Sequence, residues 1–171
     1  MIEKINLASD LSLIVLSAAG KENTDNIKSL INQTVFTNKI NNNQIVELVI
    51  LDLFAASRAI DATLEKNIAK EINDMLHELV SVAISKNYEI SETNVQDLIL
   101  KRYSEFYPIL SKNNDSNLMA FNFGLNFANI FFSKVITEND KGALAFIFGI
   151  SDMFVSTIEN IEEFIKNKLK D

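Results

Sequence analysis

One stripe limits this chain more than any other feature. From Ala143 to Leu169 the apolar residues Ile147, Ile150, Phe154, Ile158, Ile161, Ile165 and Leu169 recur every three or four positions. That is the spacing of one face of an α-helix. The phase survives Gly149, so the segment reads as a single long helix. Glu159, Glu162 and Glu163 fall on its outer side, and Lys166, Lys168 and Lys170 crowd its last turns, where cations suit the helix dipole.

The segment before it, Leu118–Ile136, is as apolar and carries Phe121, Phe123, Phe127, Phe131 and Phe132. One polar line crosses it: Asn122, Asn126, Asn129 and Ser133. Steps of four, three and four place all four on one helical face. The link Thr137-Glu138-Asn139-Asp140-Lys141-Gly142 is short, which makes the pair an antiparallel hairpin. Three Asn, Ser133 and Lys134 interrupt the first segment and Asp152 the second, so no membrane span is expected. The Asn line is read as a seam or interface facing water, a neighbouring helix or a second copy of the chain.

The rest follows the same period. Four Gly and one Pro in 171 residues are too few for a strand-rich protein with many tight turns. A short first helix carries Leu11, Ile14, Val15 and Ala18, capped by Ser9 or Asp10; a strand through Leu13–Leu16 is the alternative. A second starts at Thr24 or Asp25, with Ile27, Leu30, Ile31, Thr34 and Val35 in its stripe. The third, Gln44 to about Ile60, is apolar nearly all round, which belongs at the centre of a bundle. Thr63 is a candidate cap for the fourth, Glu65–Lys86. A fifth begins with the capping box Thr93–Gln96 and has Pro108 in its last turns or at a kink. Lys112-Asn113-Asn114-Asp115 is a polar loop. The expected fold is an all-α single domain over residues 1–171, a bundle of six to seven helices ending in the long antiparallel hairpin.

Several functions lack their residues. There is no Cys and a single His, His77. This removes thiolate chemistry and leaves any triad on one imidazole. No Gly-rich phosphate loop is present. Asp74 and His77 have the spacing of two metal ligands on one helix turn, but a di-iron bundle needs a second His. His77 therefore reads as a boundary residue. No catalytic, cofactor-binding or metal-ligating residue is assigned, no cofactor is expected, and the chain is not expected to be an enzyme. The net charge of −7 disfavours direct nucleic-acid binding. The N-terminal residues lack the basic and apolar regions of a secretory signal, so a cytoplasmic location is expected.

Three groups of residues invite a specific role. Asp52 falls on the apolar side of the third helix, and Arg102 sits between Leu98 and Phe106 on the stripe of the fifth. A buried charge needs a partner, so the two are expected to pair, with Tyr103 or Tyr107 nearby. Glu47, Asp61 and Glu65, with Arg58 among them, form an acidic strip for a basic partner. The third group is the line Asn122, Asn126, Asn129 and Ser133. The function expected first is non-catalytic binding of a protein partner, as in an inhibitor or immunity-type protein that occludes a basic surface. A pocket for an apolar small molecule or lipid, walled by Phe123, Phe127 and Phe131 and anchored by Arg102 or Asp52, is the alternative. A structural homodimer is the third reading.

Overall fold

In the computed structural model the third helix, Asn42–Thr63 (α3), is the wall on which the other elements pack. The structure describes residues 4–34, 39–112 and 116–170, without the side chains of 21–23 and 112. The order is α1 (Lys4–Leu16), a 3-10 turn (Ser17–Ala19), α2 (Lys21–Ile31), α3, α4 (Lys66–Tyr88), α5 (Glu92–Lys112), α6 (Ser116–Phe132) and α7 (Ala143–Lys168). The described residues contain no strand. The fold is all-α, a single domain, as the helical period predicts.

The core has two clusters that meet along α3. One gathers α1, α4, the first half of α5 (Val95, Ile99) and the end of α7 (Ile161, Ile165) against Val49, Leu53, Ala56 and Ile60. The other gathers α2, α6, Phe106 of α5 and the start of α7 (Phe146 to Phe154) against Leu48, Leu51, Phe54 and Ala55. A helix apolar on every side thus buries two faces at once. Tyr103 and Ile158 border both clusters.

The helix ends depart from expectation for identifiable reasons. Ser9 and Asp10 lie inside α1, and Asp10 accepts an ion pair from Lys168 at 2.9 Å. Gly20, not Thr24 or Asp25, is the N-cap of α2. The capping box belongs to α3: the Asn41 side chain accepts from Gln44 N, and Gln44 Oε1 accepts from Asn41 N, both at 3.0 Å. Thr93 sits inside α5, whose first turn is held by Ser91 Oγ accepting from Asn94 N at 3.3 Å. Thr63 bonds back to the Ala59 carbonyl at 2.7 Å, and Glu65 takes the N-cap of α4. Pro108 lies within the last turns of α5. Residues 1–3 of the N-terminal region, Val35 and Asn113-Asn114-Asp115 lie outside the described residues.

The C-terminal hairpin forms, but α6 ends at Phe132 rather than Ile136. Asn129 Oδ1 accepts from Ile136 N at 2.6 Å, folding the chain back, while Ser133 takes a positive φ of 52°. Gly124 lets α6 and α7 approach closely: a Cβ there would collide with the Ile147 carbonyl oxygen. Beside it, Ser151 Oγ donates to the Ala120 carbonyl at 2.7 Å.

Candidate functional site

Arg102 does not pair with Asp52. Its Nε and one terminal nitrogen donate to the two Glu47 oxygens at 2.7 and 2.6 Å, and the other terminal nitrogen donates to Glu105 at 2.9 Å. Geometry around α3 explains the correction. Five residues at about 100° each turn Asp52 some 140° away from Glu47, and α5 packs on the side of Glu47 and Phe54. The Arg102 and Glu47 side chains are each 12% exposed. The fork-to-fork contact supplies the partner that such burial demands, and the Glu47 hydrogen bonds raise the Arg102 pKa. Tyr103 and Tyr107 pack on Phe54 rather than on Asp52.

Asp52 is half-buried and has no hydrogen-bond or ionic partner among the described residues. Burial pushes its carboxyl from 3.8 up to about 7. The predicted acidic strip also comes apart. Glu47 is consumed by Arg102, Asp61 is exposed and accepts from Asn73 Nδ2 at 3.0 Å, and Glu65 is exposed at the start of α4. Arg58 lies 5.9 Å from the centre of the Tyr107 ring.

The Asn line divides. Asn122 and Asn126 are half-buried, and the Asn126 side-chain oxygen has no partner among the described residues. Asn129 holds the helix end, and Ser133 is exposed beyond it. Phe123 and Phe127 lie in the core. Phe131 lines a 420 Å³ pocket together with Glu47, Arg102, Leu98, Ile130 and Gln44. Gln44 Nε2 donates to the Phe131 carbonyl at 3.0 Å, tying the start of α3 to the end of α6. The Arg102 charge at this pocket is already met by two carboxylates.

A polar chain lies between α3, α4 and α5. His77 Nδ1 is 2.7 Å from the Asn73 carbonyl, and Nε2 is 2.9 Å from the Tyr103 hydroxyl. A carbonyl only accepts, so Nδ1 carries the proton. In the neutral ring Nε2 then accepts from Tyr103. The Tyr103 oxygen is 3.2 Å from Ser57 Oγ, which also lies 3.1 Å from the Leu53 carbonyl. Burial lowers the His77 pKa from 6.5 and raises that of Tyr103. Both ring nitrogens are engaged. Among the described residues no three His, Asp or Glu side chains are grouped to share a metal ion.

No protein-family model, curated protein or solved structure matches the chain.

The hairpin carries a surface almost free of charge. Over residues 116–132 and 143–158 the one charged residue is Asp152. Yet Leu118, Leu144, Phe148 and Val155 are 50%, 45%, 43% and 48% exposed. Leu144, Phe148 and Val155 fall within about 40° of one another on α7. Phe148 reaches the half-buried Phe121 of α6, ring centres 6.0 Å apart, so the patch spans both helices. The α7 helix is also long and apolar enough to cross a membrane, with mean hydropathy 1.4 over an 18-residue window of which 33% is buried. Sequence reasoning placed the stripe of α7 facing the core but missed this second, outward line. Its signal was the missing charge between Lys141 and Asp152.

Proposed function

We propose that the chain is a non-catalytic protein-binding module, that the outer face of the α6–α7 hairpin is its contact surface, and that a second copy of the chain is the first occupant to test. The observation behind this reading is the near absence of charge on α6 and on residues 143–158 of α7, both partly exposed. Helices at the surface of a monomer ordinarily carry a charged outer face. The centres of protein interfaces are instead depleted in charge and enriched in aromatic side chains and Met. Net charge supports self-association through this face in particular. Copies each carrying −7 repel when charged surfaces meet, and over residues 116–132 and 143–158 each would bring only Asp152.

The inhibitor or immunity-type use remains open to the same module, since an acidic chain attracts a basic partner. The apolar-ligand reading has less support. An acidic headgroup entering the pocket beside Phe131 would have to displace Glu47 from Arg102.

The test is light scattering across a wide concentration range on the wild type and on Phe148→Glu/Val155→Glu. The wild type is expected to approach twice the chain mass, and the variant to stay at the chain mass with an unchanged circular-dichroism spectrum. A wild type that stays monomeric at every concentration sinks the self-association reading. Sedimentation of the wild type with anionic vesicles, lost in the variant, would turn the face over to lipid instead.

A further inference from the structure

The α4 and α5 helices enclose a groove of 530 Å³ away from the hairpin face. From α4 come Asp74, His77, Glu78 and Ser81; their spacing of three, one and three keeps them on one helical face. From α5 come Glu92 and Gln96 near the start, then Ile99 and Leu100. Asp74, Glu78 and Glu92 are exposed and make no ion pair among the described residues, and no cation lines the groove. The carboxylates alone would say little, because a charged groove is commonly just solvated. The decisive group is Ser81. It is only 2% exposed, yet its hydroxyl has no hydrogen-bond partner among the described residues, although the side chain lines the groove. Helical Ser normally bonds back to the carbonyl four residues earlier when nothing else is offered; Ser57 and Ser151 of this chain do so. The Ser81 hydroxyl thus has no protein partner among the described residues and opens onto the groove, where a donor from outside can reach it.

We propose that this groove receives a lysine or arginine side chain presented by a protein partner. The chemistry matches along the whole length of such a side chain. Its aliphatic stem has Leu100, 67% exposed, to lie against. Its ammonium or guanidinium head can sit between the Glu78 carboxylate and the Ser81 oxygen, three residues apart on α4, while Asp74 and Glu92 add negative charge toward the two ends of the groove. His77 offers the cation no lone pair, since Tyr103 and Asn73 occupy both nitrogens. It serves as a neutral wall, and its lowered pKa keeps a competing positive charge out of the groove. The inference sharpens the acidic-module reading by moving the cation-binding surface from Glu47, Asp61 and Glu65 to the α4–α5 groove. It does not depend on the hairpin face.

The experiment titrates nitrogen-labelled protein with a blocked hexalysine peptide and follows amide chemical shifts. Saturable shifts are expected at residues 74–81 and 92–100. Glu78→Gln/Glu92→Gln should weaken binding by at least about tenfold. Glu138→Gln/Glu163→Gln, which removes the same charge elsewhere, should change it by less than about twofold. Ser81→Ala leaves every charge in place and should weaken binding about fivefold. Equal weakening by both double variants, or shifts centred elsewhere, would overturn the site. Spermidine binding at these residues as tightly as the peptide would overturn the assignment to a protein side chain. Repeating the titration on Phe148→Glu keeps this result separate from the fate of the hairpin reading.

Discussion

Burial takes the chemistry of Asp52 far from that of its free form. It emerges from α3 among Leu48, Ala56 and Ala59, and no cation among the described residues meets it. Its folded pKa of about 7 stands above the ordinary 3.8, so the folded chain holds a proton there that the unfolded chain releases. The associated stability is fully present below pH 3.8 and is lost as pH rises through about 7. Asp52→Asn should therefore stabilise the protein at pH 8 by about 1–2 kcal/mol, less than the full shift implies because the group keeps some solvent contact. At pH 4 the substitution should be nearly neutral. Urea unfolding at the two pH values measures this; an equal loss at both would show that the carboxyl has a partner. His77 has the opposite sign. With its pKa lowered from 6.5, its contribution is present above 6.5 and is lost as pH falls toward the depressed value.

Among the elements, the α6–α7 crossing depends most on a single small residue. Gly124→Ala would add a better helix former, worth about 1 kcal/mol in an exposed helix. However, the new Cβ would collide with the Ile147 carbonyl oxygen and come within 2.7 Å of Ser151 Oγ. Backbone cannot swing aside as a side chain can, so a net loss of about 2 kcal/mol is expected. Gly149→Ala meets only the Leu30 methyl groups, at 2.8 and 2.9 Å, and should lose less. Thermal melts of the two variants give the comparison, and an equal loss would refute the backbone argument. The contrast also marks how far the sequence could be read. Helices α3, α4, α5 and α7 were legible because apolar residues recur with the helical period. The 3-10 turn and the end of α6 were not, because local hydrogen bonds such as Asn129 to Ile136 decide them. The ion pair was half legible. Arg102 on an apolar stripe required a carboxylate, but choosing Glu47 over Asp52 needed the position of α5 relative to α3. The groove was hidden because its two walls come from different helices, and an unpaired hydroxyl leaves no mark on a sequence.

At the scale of the whole molecule, the two core clusters share three long helices. The α5 helix begins in one and ends in the other, α7 does the reverse, and α3 gives a face to each. Packing of this kind makes either cluster's loss expose apolar surface in its neighbour. Thermal unfolding should be one cooperative transition, with far-ultraviolet circular dichroism and tyrosine fluorescence superimposing. Tyr103, at the border of the clusters, makes the second probe sensitive to both. Two separated midpoints would contradict this account.

The same sharing means that the chain has no place to be cut. A break between α5 and α6 would strip the first cluster of Ile161 and Ile165 as well as removing most of the second. A break before α3 would take α1 from one cluster and α2 from the other. Neither half could be expressed, swapped or grafted as a working piece, so any shorter version of this protein would need a redesigned core and not merely a new terminus.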